Sequence, residues 1–141
     1  MDVLRHIKTL SVVAEDVSPV GNARLAAAIF YRGKLVSLGY NQYKSHPFAA
    51  KYSKNPDAIY LHAEADAINK AKKRLTDQEL KKSTLIVVRV KQNINKKLEV
   101  GIAKPCQGCQ MCIEDHGIKT VIYTEDSVFK KIKFTTEILD A

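Results

Sequence analysis

The sequence predicts an α/β fold in which helices cover a mixed β-sheet. Segments with helical spacing of apolar residues alternate along the chain with short, β-branched segments that are typical of buried strands. The chain has 141 residues, of which 45% are hydrophobic and 27% charged, as in ordinary globular proteins. That length suits one compact domain with a sizeable core, so we expect a single domain over residues 1–141.

The first half of the chain predicts a helix, a hairpin, a loop and a second helix. Apolar residues at helical spacing predict an amphipathic helix over residues 2–14. Residues 25–31 and 34–38, joined by Arg32 and Gly33, are typical of a β-hairpin. The stretch 41–60 has two prolines and no clear period, which predicts a long ordered loop. A buried apolar stripe then predicts a helix within residues 61–75.

The second half predicts further strands around one short helix. Residues 84–90 are strongly β-branched and predict a central strand, followed by a polar turn over 93–97 and a segment, 98–104, that leads to the cysteines. A short helix is expected over 107–116, ended by Gly117, and a buried strand over 121–123. The segment 128–134 is compatible with either a helix or an edge strand.

Composition limits the classes of function. The net charge of +8 suits anionic partners such as nucleotides or nucleic acids, although scattered lysines also make ordinary solvated surfaces. We interpret Lys70 and residues 72–74 as such an exposed helix face. No apolar run approaches the ~20 residues that span a membrane, and residues 1–10 lack the unbroken apolar stretch of a secretory signal. A cytoplasmic protein without a membrane partner is therefore expected.

Two short motifs carry the chemistry. His62-Ala63-Glu64 and, further on, Pro105-Cys106-Gln107-Gly108-Cys109 together offer three zinc ligands and one carboxylate. Because zinc prefers four ligands, three protein ligands leave a position for water, which is typical of a catalytic site. The chain has three cysteines, all within residues 106–112, which fits a metal site, with a redox dithiol as the alternative. Cys112 lies one helical turn beyond Cys109, so we expect it in the core.

The motifs resemble the cytidine and deoxycytidylate deaminase superfamily. H-x-E followed by P-C-x-x-C is the signature of zinc-dependent nucleobase deaminases. Three further segments match the family in family order: 39–41 (Gly-Tyr-Asn), 62–68 and 117–123. The resemblance covers residues 24–124. It implies a cytidine deaminase-like, three-layer α-β-α sandwich with a mixed five-stranded sheet.

The resemblance also implies the site and its partners. One catalytic Zn²⁺ per chain would be held by His62, Cys106 and Cys109, and would lower the pKa of a bound water toward ~7. Glu64 would move protons between that water and the base. The backbone N–H of Ala63 would contact the base and Asn41 the sugar, although an Asn after a strand is often a simple turn residue. A homo-oligomer is expected.

The leading functional hypothesis is a zinc-dependent hydrolase that converts a cytosine nucleoside or nucleotide to the uracil form with release of ammonia. A deoxycytidylate-type substrate is favoured. An alternative is a deaminase of nucleic-acid bases, either tRNA adenosine or single-stranded DNA cytosine. Its basis is the basic charge and the rings interleaved with lysines in the 40–54 segment, including His46. A third possibility is a non-catalytic module in which zinc is structural.

Overall fold

The computed structural model describes residues 1–17, 24–45, 60–127 and 131–139. Four helices and eight strands lie in these ranges. The helices are α1 (Val3–Glu15), α2 (Ala63–Ala71), α3 (Asp77–Lys81) and α4 (Gln107–Asp115). The strands are β1 (Arg24–Tyr31), β2 (Lys34–Tyr40), β3 (Gln42–Ser45), β4 (Tyr60–Leu61), β5 (Thr84–Gln92), β6 (Leu98–Gly101), β7 (Thr120–Thr124) and β8 (Phe134–Ile138).

The main sheet is mixed, as predicted. Its strand order is β2-β1-β5-β7-β8, with β6 paired to β5 outside this path. Strands β5 and β7 are parallel, and the other pairs are antiparallel. The α-helical connection between the parallel strands is typical of such a pair, because a parallel crossover needs a long connection.

The main sheet has six strands, and the expected number of five was wrong in this detail. The cause is the length of β5, which has nine residues. Strand β1 pairs along one side of β5. The other side is long enough for two partners, β7 over residues 84–87 and β6 over residues 89–92.

Helices cover both faces of the sheet, which confirms the sandwich. On one face, Ile7, Leu10 and Ala14 of α1 are buried against alternate residues of β1 and β5. On the opposite face, α2 and α4 bury a second cluster with the remaining alternate residues, among them Ala27 and Leu85. The alternation follows from the period of two in a strand, which sends neighbouring side chains to opposite faces.

Two glycines with positive φ lie where the sequence predicts a turn and a helix end. Arg32 and Gly33 both have positive φ (52° and 77°) in the β1–β2 hairpin, the backbone of a two-residue turn that matches strand twist. Gly117 has φ 72° just after α4 and its cap His116, so the predicted helix end is confirmed.

Three local predictions need correction. The 41–60 stretch was expected to be a loop, but residues 42–45 form β3, which pairs with β4. Residues 46–59, including His46, lie outside the described part of the chain. Helix α3 was not predicted, although a capping box links Thr76 and Glu79 at its start. In the tail, the described strand β8 lies at residues 134–138, beyond the segment left open as helix or strand.

Among the described residues, no helix is both long and apolar enough to cross a membrane.

Candidate metal centre and active site

The predicted zinc ligands lie at the starts of two helices. His62 is the N-cap residue of α2 and Cys106 that of α4, and both have extended backbone conformations. Neither side chain accepts the hydrogen bond that an N-cap residue usually takes from its own helix. The His62 side chain instead contacts the sulfur atoms of Cys106 and Cys109 at the start of α4.

The two helix starts bring the three ligand atoms together. His62 Nδ1 lies 3.3 Å from Cys109 Sγ and 3.7 Å from Cys106 Sγ. The three ligand atoms all lie within 4.8 Å of one another, a spacing at which they could hold one metal ion. One imidazole and two thiolates are a donor set that zinc takes. The three predicted ligands therefore lie together in the described part of the chain, where they could hold a metal ion.

The two cysteines divide the protonation between them in the metal-free chain. Hydrogen bonds from Cys109 and then from His62 lower the pKa of Cys106 to about 3, so that this exposed sulfur is a thiolate. The same contact with Cys106, together with burial, raises the pKa of Cys109 well above its usual value. The contact with Cys106 also raises the pKa of His62. A metal ion must therefore displace a proton from Cys109.

Glu64 lies beside the ligands in the first turn of α2 and is only 4% exposed. Burial raises the pKa of its carboxyl, and the nearby His62 opposes this shift. The Cys109 side chain and the backbone N–H of Glu64 also lower the pKa of this carboxyl, to a smaller extent. A buried carboxyl group that can carry a proton thus lies close to the metal ligands.

A close approach between β2 and α2 fixes the start of α2. Gly39 lies so near the helix that a Cβ atom there would collide with the backbone carbonyl of Ala63 and the backbone nitrogen of Ala67. In addition, the Ser37 hydroxyl donates to the Ala67 carbonyl at 2.7 Å. The glycine of the family-like Gly39–Asn41 segment therefore has a packing role, which is to seat the helix that carries His62 and Glu64.

Charged side chains of α2 and of the turn after it bind the edge of β2, and sequence reasoning missed this role. Asp66 Oδ2 accepts from the Tyr40 N–H at 3.2 Å and from Lys70 Nζ at 3.1 Å. Lys70 also donates to the Leu38 carbonyl at 3.1 Å, and Arg74, just after α2, donates to the Val36 carbonyl at 2.9 Å. Lys70 and Arg74 are exposed, as predicted, and in addition they hydrogen-bond to the strand.

The edge contacts have a sequence signal in hindsight. Residues 66, 70 and 74 are four apart, the spacing of neighbours on one face of a helix, and His62 lies four residues before Asp66. In the structure Asp66 and Lys70 lie within α2, while His62 is its N-cap residue and Arg74 lies in the turn after it. The edge contacts tie the first turn of α2 to the segment just before Asn41. They also satisfy backbone groups of an edge strand that would otherwise be open to another chain.

The two predicted substrate contacts lie near this junction. Asn41 is 7% exposed, and its Oδ1 accepts from the Leu25 N–H at 2.9 Å. The Asn41 backbone N–H donates to the Leu25 carbonyl, so Asn41 joins β1 to the end of β2. Ala63 is fully buried as the first residue of α2, where backbone N–H groups have no partner within the helix.

Cys112 lies outside the ligand cluster, as expected. It is fully buried in the core on the α4 side. Its sulfur lies 3.9 Å from His116 Nδ1, and the same nitrogen lies 2.7 Å from the Cys112 carbonyl oxygen. These two residues thus serve the packing and the end of α4.

The chain matches a known protein family. The family model of the cytidine and deoxycytidylate deaminase zinc-binding region matches residues 3–125. The chain belongs to this family, and zinc is the metal that its His62, Cys106 and Cys109 cluster fits. A comparison with curated proteins found no match.

Solved structures of family members share the fold. The dCMP deaminase of cyanophage S-TIM5, in apo form, superposes with a TM-score of 0.60 at 21% identity, covering 88% of this chain and 82% of that one. A cytidine deaminase from Burkholderia pseudomallei gives a TM-score of 0.63 at 17% identity, with coverages of 96% and 93%. At such identities the likeness concerns the fold, a cytidine deaminase-like sandwich.

Proposed function

We propose that this protein is a zinc-dependent hydrolytic deaminase that converts a cytosine nucleoside or nucleotide, with deoxycytidylate favoured, to the uracil form and ammonia. The observation that carries the proposal is the position of Glu64. Its carboxyl group is buried in the first turn of α2, two residues after the ligand His62, and it lies near enough to Cys109 that the two side chains shift each other's pKa. A purely structural zinc site has no use for a buried acid at that place, and a fourth Cys or His ligand would normally complete it.

His62, Cys106 and Cys109 would hold the zinc ion, which when bound supplies an activated water at neutral pH. Glu64 accepts a proton from that water through a carboxylate oxygen. It delivers the proton to N3 of the pyrimidine, which makes C4 a better electrophile for the attacking oxygen. It then takes the second proton from the oxygen now bonded to C4 and passes it to the exocyclic amine, so that the C4–N bond breaks, C4=O forms and ammonia leaves. General acid–base catalysis of this kind contributes ~10²–10⁴-fold to a rate.

The raised pKa of Glu64 suits this task. A carboxyl group whose burial disfavours the charged form holds a proton more readily than an exposed one, so that it can donate as well as accept. His62 opposes that shift, and this keeps the charged, proton-accepting form accessible. Acid–base catalysis works best when the pKa lies near the working pH.

The substrate-side residues follow from the same junction. The Ala63 N–H at the start of α2 would donate to the base, and the positive end of that helix favours an electron-rich partner. Asn41 would contact the sugar while its Oδ1 holds β1. The S-TIM5 dCMP deaminase was also solved in complex with dCMP and dUMP, at a TM-score of 0.55 and 21% identity over 85% of this chain and 78% of that one. This supports testing dCMP first.

The test is zinc content followed by ammonia release. We expect about one zinc per chain and turnover of dCMP, deoxycytidine, CMP or cytidine, abolished when zinc is removed and restored when zinc is returned. The panel includes cytosine, adenosine, guanine and a short single-stranded oligonucleotide. Conversion of the oligonucleotide alone would transfer the proposal to nucleic-acid bases. Zinc binding without turnover of any base would contradict an enzymatic role.

The wider organisation stays a prediction. We expect one domain, and subunits that pair or assemble around the active-site segments. Size-exclusion chromatography with light scattering measures the assembly, and a monomer at all concentrations would contradict that expectation.

A further inference from the structure

Arg89 lies on the face of the sheet that carries the metal-ligand helices. Leu85 and Val87 of β5 belong to the core cluster that includes Ala63 and Ala65 of α2. Side chains alternate between faces along a strand, so that Arg89 continues the row of Leu85 and Val87. The guanidinium group is thus on the side of Glu64 and not on that of α1.

Arg89 also lies between the two chain segments that form the site. It pairs with Leu25 of β1, whose N–H and carbonyl are both held by Asn41. On its other side, the Arg89 backbone N–H donates to Thr124 Oγ1 at 3.3 Å, and that hydroxyl donates to the Gly101 carbonyl at 2.8 Å. From Gly101 the chain runs on to Cys106.

The charge of Arg89 is not matched by a bonded acid in the described part of the chain. The charge of Arg89 acts on the carboxylate of Asp126, but that carboxylate is hydrogen-bonded to Lys91 Nζ at 3.0 Å and to the Ile102 N–H at 2.9 Å. The buried Nε of Arg89 has no hydrogen-bond partner among the described residues. A buried donor left without an acceptor is costly, and a ligand is one of its ordinary explanations.

We infer that Arg89 receives the phosphate of a nucleoside monophosphate substrate and so selects nucleotide over nucleoside. The inference rests on the function proposed above. A guanidinium fork pairs with phosphate oxygens through two parallel hydrogen bonds, and such charge-assisted pairs are among the strongest in proteins. Asn41, which we propose to contact the sugar, is hydrogen-bonded to Leu25, the residue of β1 that pairs with Arg89.

The test compares binding of dUMP and deoxyuridine to the zinc-loaded protein by calorimetry. These product-type ligands differ only in the phosphate and are not consumed. We expect the wild type to prefer dUMP, and Arg89→Met to lose about 10- to 100-fold in dUMP affinity, the size of a lost charged hydrogen bond. Deoxyuridine affinity should not change. Lys91→Met, on the same face but bonded to Asp126, is the matched control and should keep the preference.

Thermal unfolding separates a ligand role from a structural one. Because Arg89 Nε has no described partner, Arg89→Met should leave the midpoint of the ligand-free protein unchanged while it removes the extra shift that dUMP produces. Equal loss of both ligands, or a wild type without preference for dUMP, would overturn the inference. Arg89-dependent binding of an oligonucleotide but not of dUMP would overturn the monophosphate assignment.

Failure of the proposed function is a separate result. A protein that releases no ammonia from any cytosine substrate is not a deaminase, whatever Arg89 binds. A deaminase that acts equally on dCMP and deoxycytidine, with Arg89→Met unaltered, keeps its function and contradicts the role of Arg89.

Discussion

The helices of this protein begin in two different ways. Helices α1 and α3 have ordinary caps, since the side chain of Asp2 accepts from Arg5 N and that of Thr76 from Glu79 N. Helices α2 and α4 begin at His62 and Cys106, whose side chains make no such bond. A capping side chain is worth about 1 kcal/mol. Among the described helices, the protein forgoes that stabilisation at the two starts that build the metal centre and keeps it at α1 and α3.

The contrast extends to how each start is held. The start of α3 is closed by its own capping box, a local device. The start of α2 is held by contacts with β2, which is distant in the sequence. Gly39 of β2 allows the close approach, and Asp66 of α2 accepts from the Tyr40 N–H. The difference teaches that a functional helix start needs tertiary support where the cap position is used for chemistry.

The largest effect on zinc binding should come from replacing a metal-ligating N-cap residue with an ordinary capping residue. His62→Ser supplies a good capping residue but removes a ligand. Zinc at about 1,000 times its Kd should stabilise the wild type by roughly 4 kcal/mol, and the variant should lose this stabilisation together with its zinc. His116→Ser is the matched control and should keep the response. The measurement is thermal unfolding with and without zinc, and an unaltered response in His62→Ser would contradict the ligand assignment.

The second effect concerns cysteine reactivity in the zinc-free protein. With a pKa of about 3, Cys106 is a thiolate at every pH above that value, so its alkylation should change little between about pH 5 and 8. An ordinary cysteine, with a pKa of about 8.5, gains roughly tenfold per pH unit there. At about pH 6 the full thiolate content of Cys106 and the weaker nucleophilicity of a low-pKa thiolate nearly cancel, so its rate should be close to that of a free thiol, and the flat pH profile is the expected signature.

Peptide mass spectrometry after short iodoacetamide pulses at several pH values measures this reactivity, with a free cysteine peptide as the control because Cys112 is buried. Zinc should protect Cys106. A rate for Cys106 that rises with pH like that of a free thiol would argue against the thiolate.

A third, intermediate effect tests the support of α2. Asp66→Ala leaves the Tyr40 N–H and Lys70 without the carboxylate, which should cost about 1–3 kcal/mol of the free energy of unfolding. Asp66→Asn keeps an acceptor for the N–H and should lose less. Because Asp66 positions the helix and does not touch the metal ligands, kcat should fall while zinc stays bound. Denaturant unfolding and zinc content check this, and an Ala variant as stable and active as the wild type would exclude the role.

The smallest effect on stability should come from removing an ordinary cap, that of α3. Thr76→Ala removes the cap of α3 and should cost about 1 kcal/mol by denaturant unfolding, with zinc content and turnover unchanged. Thr76→Ser should restore most of the loss. A change in zinc affinity would show that the two kinds of helix start are not independent.

The sequence predicted what depends on local pattern. The spacing of apolar residues predicted the flanking helices and the central strands. The residue types at Arg32 and Gly33 predicted the hairpin turn. The zinc ligands were predictable because ligand type and spacing are written in the chain, although their meeting depends on the tertiary fold.

What failed depends on contacts between distant segments. Strands β3 and β4 are short and pair across the segment 46–59, so neither has a clear pattern of its own. The roles of Asp66 and Arg74 depend on the edge of β2, thirty or so residues earlier in the chain, and look like solvated charges in the sequence. Arg89 interrupts an apolar strand, and only the sheet shows which face it occupies.

The most direct test of the central claim measures zinc content and ammonia release for the wild type and Glu64→Gln side by side. Gln fills the same space but cannot carry a proton. The account predicts equal zinc, about one per chain, with turnover on the best cytosine substrate reduced by at least ~10²–10⁴-fold in the variant. A Glu64→Gln protein that keeps both its zinc and its turnover would contradict the claim that these two helix starts form a catalytic centre around Glu64.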